Sequence, residues 1–470
     1  ALQTLLLDDS RGGQNTGKVF PLNDLGVPVF GDESFAPFTM LDGYAGFRGG
    51  DLVTDIEGVM GEGFGSYRLY VSDPSAGTAI DGDNFDIQIT NTNPRQTEPE
   101  EVGGSLKIAS FNVLNFFTTL DLGPDVCGPA KNLECRGADS EEELTRQQAK
   151  IVAALAALDA DIVGLIEIEN TDGVSAESTL ATALNAVSAR SYAAVQTGTV
   201  GTDAIKVAFI YDTATVNLVG APAVLEEGFV DPLGAGSDRN RAALAQTFQE
   251  AAGNGILTVV NNHLKSKGSS CGSGDDDPVQ GNCNGTRTAA AEALATWLST
   301  DPTGSGDKDL LILGDLNSYA KEDPIRALVA AGYTDLAANF IGDTAYGYVF
   351  SGRWGTLDYA LANEPLLNQV TGVTTWHINA DESDAIDYDS SFNPVQWYAD
   401  DAFRSSDHDP VLVGLSLRGS PVNKDDCKKD GWQTLVTADG INFRNQGDCI
   451  SYAATGKKQG DNKGKGKGGS

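Results

Sequence analysis

Six short stretches carry most of the chemically competent side chains of this chain: Ser110-Phe111-Asn112, Glu167 in Leu165-Ile166-Glu167, Asn262-His263, Gly314-Asp315-Leu316-Asn317, Leu357-Asp358-Tyr359, and Ser406-Asp407-His408-Asp409-Pro410. Each sits at the end of an apolar, β-branched run that reads as a buried strand. Strand ends on one edge of a sandwich converge in space. Convergence here gathers carboxylates, two amides and two imidazoles into one pocket. That inventory suits a hard divalent cation and acid/base hydrolysis of a phosphate ester. The chain has three histidines, and two of them fall in this set.

Taken singly, the residues already suggest roles. Glu167 ends the uncharged run DIVGLIEI. A carboxylate there is a cation ligand or half of an ion pair, and the oxygen preference of hard cations favours the ligand. Asp315 follows LLIL, with Asn317 two residues on, so strand alternation puts both on one face. A carboxylate beside an amide can hold a water and a phosphoryl oxygen together; the structural alternative is a helix cap. Asp358 begins a neighbouring strand and is placed to orient the His408 imidazole. His263 ends the strand LTVVNNH, whereas His377 lies in a polar stretch and receives no role.

The elements that must position these residues are legible as alternating strands and helices over 105–418. Strands are expected at Leu106–Ser110, Asp161–Ile168, Lys206–Tyr211, Leu310–Leu313, Leu357–Leu361 and Val411–Leu417. Ala242–Phe248 and Ile256–Asn262 read as a hairpin. Helices are expected at Thr145–Leu158, Arg287–Leu298 and Asp323–Ala331. Hairpins mixed with crossovers imply an α/β domain of two packed sheets with helices outside. Upstream, 1–93 alternates short β-prone runs (Thr4–Leu7, Leu52–Val59, Tyr67–Val71, Phe85–Ile89) with Gly/Asp turns and reads as a small all-β module without its own beginning. Residues 94–104 read as a linker, 420–455 as a small C-terminal module, and the Lys/Gly-rich tail 456–470 as disordered.

Composition narrows the function. The chain is 470 residues long with a net charge of −34. Such a surface repels nucleic acid at long range and argues against a basic-patch DNA binder. It leaves open an enzyme whose cation offsets substrate charge locally. No segment approaches the ~20 apolar residues of a membrane span. The chain opens at Ala1 without Met, mid-pattern, which reads as a processed or trimmed product. The six cysteines fall in three local pairs, Cys127/Cys135, Cys271/Cys283 and Cys427/Cys449, each bracketing a polar loop. Sequence proximity favours three disulfides and an oxidising compartment. Asp275–Asp277 and Asp81/Asp83/Asp86 could bind structural Ca²⁺, but neither has a complete EF-hand pattern and a solvated acidic loop is the more frequent outcome.

In order and spacing the six motifs resemble the endonuclease/exonuclease/phosphatase superfamily over about 105–418. The strings KIASFNVLNFF, GTDAIKVAFIYD, NNHLKSKGS and YVFSGRWGTLDYALAN are similar to its secreted bacterial nuclease branch, whose members carry an upstream OB-like domain. The resemblance implies a four-layered α/β sandwich. It implies Asn112, Glu167 and Asp407 on the metal side, Mg²⁺ or Mn²⁺ as the ion, and Asp315 as the water-activating or metal-adjacent aspartate. Asn317 becomes a phosphate-binding asparagine, His408 with Asp358 the catalytic histidine pair, His263 the second histidine, and Arg241 a phosphate-contacting arginine. Asp203 is offset from the position of the acidic partner expected for His263. The reading is a secreted or cell-surface metal-dependent phosphodiesterase hydrolysing DNA, with RNA as a second candidate substrate and no obligate protein partner. The rivals are a sphingomyelinase-like enzyme on lipid head groups, which calls for an exposed apolar hairpin, and a non-catalytic matrix protein with this fold. The aromatics Tyr346, Tyr348, Phe350 and Trp354 either stack on bases or pack in the core.

Overall fold

The computed structural model describes residues 48–54, 58–63, 66–71, 88–391, 398–419, 424–433, 435–437 and 441–455, together with the strand at Leu6–Asp8. The tail and the Asp81/Asp83/Asp86 group lie outside the described residues. Upstream, the strands are Leu6–Asp8 (β1), Leu52–Thr54 (β2), Gly58–Gly63 (β3), Ser66–Val71 (β4) and Gln88–Thr90 (β5). β4 pairs with β1 and β3, while β2 and β5 form a separate ribbon. The expected single strand Leu52–Val59 is therefore two strands in different sheets.

From residue 106 onward the strands are Leu106–Phe116 (β6), Ile162–Glu169 (β7), Tyr192–Ala194 (β8), Ile205–Asp212 (β9), Val216–Leu225 (β10), Arg241–Glu250 (β11) and Ile256–His263 (β12). They continue with Leu310–Asp315 (β13), Tyr333–Asp335 (β14), Tyr348–Phe350 (β15), Arg353–Gly355 (β16), Asp358–Asn363 (β17), Val370–Thr375 (β18) and Val411–Leu415 (β19). The helices are Glu141–Leu158 (α1), Ala176–Asn185 (α2), Asn284–Leu298 (α3), Asp323–Ala330 (α4), Leu336–Phe340 (α5), Glu364–Leu367 (α6) and Gln446–Thr455 (α7). α1 starts four residues before the expected Thr145 because Ser140 caps it, its Oγ accepting from the Glu143 N–H at 3.3 Å.

Two six-stranded sheets face each other. Their orders are β18-β19-β6-β7-β9-β8 and β10-β11-β12-β13-β17-β14. Each has one parallel pair, β6/β7 or β12/β13, flanked by antiparallel neighbours. The connection across each parallel pair runs through a helix, α1 in the first and α3 in the second. The two halves thus repeat one topology without an evident repeat in sequence.

Side-chain alternation sorts three cores. Between the sheets lie Ile108, Ile162, Ile166, Phe209, Leu244, Phe248, Leu257, Val259, Leu311 and Leu313. Ala109, Phe111, Val163 and Leu165 point the other way, onto α1 and α2. Val260, Ile312, Tyr359 and Leu361 do the same beneath α3 and α4. The result is the expected four-layered α/β sandwich. Its strands read as nearly unbroken apolar runs because both sheet faces are covered. The three disulfides are Cys127–Cys135, Cys271–Cys283 and Cys427–Cys449, as sequence proximity suggested.

The stretch expected to be a linker packs against the sandwich. Val102 is buried, and the Gln96 carbonyl accepts from Trp376 Nε1 at 2.8 Å. Arg48 and Arg95 converge on Glu382: Arg48 Nε lies 2.9 Å from Oε1, and Arg95 Nη2 lies 2.6 Å from Oε2. All three side chains are at most 7% exposed. Breaking a buried pair leaves an uncompensated charge, which costs on the order of 3–5 kcal/mol. The double variant Arg48→Ala/Arg95→Ala should therefore unfold at clearly lower denaturant concentration, and adding Glu382→Gln should recover part of the loss. No recovery would mean that the packing of the arginine stems, not their charge, holds this junction.

Candidate active site

One register row builds half of the site. Across the second sheet, Arg241 pairs with His263, His263 with Asp315, and Asp315 with Asp358. Residues paired this way project to the same face. His263, Asp315 and Asp358 keep the parity of Leu257, Leu311 and Ala360, so they continue the inter-sheet core to its rim. A slip of one residue in any strand would turn its member of the row out of the pocket. Gly314 secures that register: at φ +136° a side chain there would strike the Asn262 backbone of the neighbouring strand.

Glu167 reaches the pocket from the first sheet by a different device. By strict alternation it would share the helix side of Val163 and Leu165. A β-bulge between Leu165 and Ile168, with Glu167 at φ +66°, breaks the alternation and turns its carboxylate inward. There Glu167 Oε1 accepts from Asn112 Nδ2 at 3.2 Å, and Oε2 from the Asn115 N–H at 3.0 Å. A second bulge, after Asn112 in β6, supplies that N–H.

Asp315 is the hub. Its Oδ1 accepts from the Asn317 N–H at 2.8 Å, and its Oδ2 from Asn317 Nδ2 at 3.2 Å. Asn112 Nδ2 is 3.5 Å away, His263 Nε2 3.6 Å and His408 Nε2 3.9 Å. His408 Nδ1 donates to Asp358 Oδ2 at 2.5 Å, and its Nε2 lies 3.9 Å from Asp407. Tyr348 packs on the His408 ring with centroids 4.4 Å apart. On the far side Arg241 Nη1 is 3.3 Å from His263 Nε2. All nine residues singled out in the sequence therefore meet in one pocket.

Two features were not legible in advance. Asp203 does not reach His263; it joins Arg241 Nε at 2.9 Å and Arg136 Nη2 at 3.3 Å. His263 Nδ1 is buried without a hydrogen bond among the described residues. Arg136 had no motif of its own; its position directly after Cys135 was the one available signal. His377, left without a role, stacks on Tyr346 with centroids 3.9 Å apart and pairs with Asp409 at 2.8 Å.

Electrostatics divides the pocket. Burial raises the Asp315 carboxyl to about 7, and the nearby Asp358 and Glu167 charges add to this against the opposing pull of His408. Burial, then Asp407, raises Glu167, and burial raises Asp358. Burial opposes charge on His408, but Asp358, Asp407 and Asp315 outweigh it and hold its proton well above the usual imidazole range. Burial, Arg241 and His408 push His263 well below that range. One imidazole is thus cationic and the other neutral.

The donor set fits a hard divalent cation. Glu167, His263 and Asp315 offer donor atoms within 4.8 Å of one another, as do Asp315, Asp358 and His408. Asp407 Oδ1 is buried and accepts no hydrogen bond among the described residues. The third such group, around Cys271 and Cys283, is closed by the disulfide. In that loop Asp275 accepts from the Thr286 N–H, Asp276 from those of Cys271 and Cys283, and Asp277 from those of Val279 and Gln280. These carboxylates hold their own loop together. A cavity of about 530 Å³ lined by Asp309, Gln369 and Arg418 lies at the opposite end of β13 from Asp315 and contains none of the site residues.

Residues 109–408 match the Endonuclease/Exonuclease/phosphatase family, well over half of the chain. The chain belongs to this family. No curated protein matches the sequence at a significant level. Among solved structures, the human Nocturnin catalytic domain with bound sulfate is 16% identical, with 66% of this chain and 94% of that one covered and a TM-score of 0.41. A mannosyl-6-phosphatase of Bacteroides thetaiotaomicron is 15% identical, with 67% and 100% covered and a TM-score of 0.42. D. rerio TDP2 complexed with a single-strand DNA product is 13% identical, with 66% and 97% covered and a TM-score of 0.38. No helix among the described residues is long and apolar enough to cross a membrane.

The titrations have a sign. Folded Asp315 keeps its proton to about pH 7, whereas an unfolded-chain aspartate loses it near ~4. Between these values the folded state binds more protons, so its stability falls as pH rises. The raised His408 acts in the same direction, its contribution being lost as pH climbs through its folded value. Below about pH 6.5 the depressed His263 opposes this trend, because the unfolded chain then binds the extra proton. Above that value chelated protein should melt at lower temperature at about pH 8 than at about pH 6.5, and excess divalent cation should restore the loss. Asp315→Asn should flatten the dependence in chelated protein. A chelated melting temperature that climbs over this interval would contradict the burial of charge described here.

Proposed function

We propose that the protein is a secreted, divalent-metal-dependent phosphodiesterase that hydrolyses DNA, and RNA as a second substrate, with little sequence preference. The observation that carries this reading is the hub geometry. Asp315 stands between a neutral and a cationic imidazole, with Glu167 and the two amides around it. Glu167, with Asn112 and Asp407 beside it, would hold a hard cation such as Mg²⁺ or Mn²⁺, which would supply charge neutralisation of the scissile phosphate.

The chain's own groups do the rest. Asp315, fixed through both oxygens by Asn317, is positioned to take the proton of the attacking water. A cation beside it would offset the burial that raises its pKa and favour the ionised form a base requires. His408, oriented through Nδ1 by Asp358, presents a charged Nε2–H toward the developing phosphoryl charge or the leaving oxygen. His263, neutral beside Arg241, hydrogen-bonds a phosphoryl oxygen from the other side. Burial and then the Arg241 charge depress Lys265, and Arg136 acts on it in the same direction. This is a local cationic flank on a chain of net charge −34. It favours a substrate with more than one phosphate. Three disulfides support an oxidising, extracellular setting.

Purified protein assayed on plasmid DNA, RNA and sphingomyelin, with Mg²⁺ or with chelator, tests the reading. Cleavage of nucleic acid that stops on chelation is the expected result; rapid sphingomyelin hydrolysis with intact DNA would move the pocket to lipid substrates. Asp315→Asn and His408→Ala should each lower turnover by about 10²–10⁴-fold, the usual scale of a lost acid or base. Near-normal rates in either variant would show the chemistry to be elsewhere. Arg241→Ala should raise KM for duplex DNA and flatten the logarithmic salt dependence by about one unit. An unchanged slope would mean that Arg241 meets no phosphate.

A further inference from the structure

The hairpin β15–β16 carries exposed aromatic surface outward from the pocket. Its register pairs Tyr348 with Gly355, Val349 with Trp354, and Phe350 with Arg353. Alternation puts Tyr348, Phe350 and Arg353 on one face and Val349 and Trp354 on the other. At the root of the first face Tyr348 packs on His408. Opposite Tyr348, a side chain at Gly355 would collide with the Tyr319 ring, so two tyrosines pave this end. Two residues farther out, about 7 Å by strand rise, stands Phe350, 62% exposed, with Arg353 across from it. Arg353 forms no ion pair among the described residues.

The platform is held stiffly. Ser351 and Gly352 link the strands at φ +50° and +69°, the two-residue turn whose twist matches a hairpin. On the reverse face Trp354 Nε1 donates to Asp381 Oδ1 at 3.0 Å, and Tyr346, just before the hairpin, donates its hydroxyl to Oδ2 at 2.7 Å. The hairpin tip, Phe350-Ser351-Gly352-Arg353, bears a hydroxyl and a cation beside one aromatic ring. A segment that inserts among lipid tails needs an apolar tip, whereas a ring beside an unpaired guanidinium suits a base with its attached phosphate.

We infer that the Tyr348–Phe350–Arg353 face is a stacking subsite for the base adjacent to the scissile phosphate in a single-stranded or frayed nucleic acid. Phe350 offers the ring, and Arg353 meets the next phosphate. This inference rests on the nuclease reading above. It gives an acidic protein a grip on substrate that needs no extended basic surface.

The experiment compares intact single-stranded oligonucleotides with oligonucleotides carrying one abasic residue beside the cleaved bond, in the full chain with Mg²⁺. In the unaltered protein the missing base should raise KM about tenfold, the usual scale of a lost stacking contact. Phe350→Ala should raise KM for the intact strand by about as much and erase the difference between the two substrates. Phe350→Tyr should restore it. Arg353→Ala should raise KM for both substrates alike. Phe350 is exposed, and the circular dichroism spectrum of each variant should match that of the unaltered protein. An abasic penalty that persists in Phe350→Ala, or that is absent from the unaltered protein, overturns the subsite and leaves the nuclease reading standing. Failure of the unaltered protein to cut any nucleic acid removes both. Loss of sphingomyelin-vesicle hydrolysis in Phe350→Ala, with oligonucleotide kinetics unchanged, would make the hairpin a lipid contact instead.

Discussion

The Asp315 carboxylate sits where no ionised carboxylate settles unaided. It is buried, with Glu167 and Asp358 near enough to raise its pKa further. Desolvation and like charge both oppose ionisation there. What holds it is the strand beneath it: Leu311 and Leu313 on one face and Ile312 on the other bury their full side chains. Burial of side chains this size contributes about 1.5–3 kcal/mol each, enough to carry the last residue of the strand into an unfavourable place. His408, Asn317 and Asn112 then limit the cost. The same unfavourable placement gathers donor atoms that could hold a cation and raises the Asp315 carboxyl toward neutrality.

The duplicated topology explains why the site is at this rim. Each half brings the C-terminal ends of a parallel pair to the same edge, contributing Asn112 and Glu167 from one and His263 and Asp315 from the other. The antiparallel strands beside them begin at that edge, and so deliver Arg241, Asp358 and the segment preceding Val411. The halves differ in execution. The second sheet presents its residues by plain alternation in one row, apart from a bulge after Arg241. The first depends on two bulges and on left-handed backbone at Leu114, Asn115 and Glu167. A buried carboxylate reached through strained backbone, as Glu167 is, is the kind of local exception that functional sites carry.

Much of this was readable from residue type and order. Buried strands are continuous apolar runs, and a charged residue closing such a run stands out, as Glu167 and Asp315 do. Parity along LLILGDLN already placed Asp315 and Asn317 together. The illegible parts share one physical feature: they rest on pairings between distant segments that have no local periodicity. Arg48 meets Glu382 across 334 residues and Arg95 meets it across 287, so the junction at 94–104 read as a Pro/Glu-rich linker. The short strands β15 and β16 have too few residues to show alternation, and Phe350 and Trp354 are as compatible with a core as with a surface. Asp203, offset from the place of the partner expected for His263, pairs instead with two arginines, since a carboxylate between guanidiniums gains more than one beside a neutral imidazole.

The N-terminal junction bears on the site through one carboxylate. Asp381 accepts from Asn93 Nδ2 at 2.8 Å on one side and from Tyr346 and Trp354 on the other. Its backbone carbonyl also takes the Gly49 N–H at 2.7 Å. Tyr346 stacks on His377, which pairs with Asp409, the residue next to His408. The loop 377–382 therefore sits between the upstream segment and both the hairpin and the His408 turn. Glu382 beside it is held by Arg48 and Arg95 from the upstream side, while Arg404 Nη1 donates to the Asn379 and Glu382 carbonyls from the sandwich. Groups buried this deeply, with each carboxylate oxygen engaged, have few alternative arrangements. The upstream segment thus acts as a fixed part of the wall that positions His408, rather than as a tether beside it.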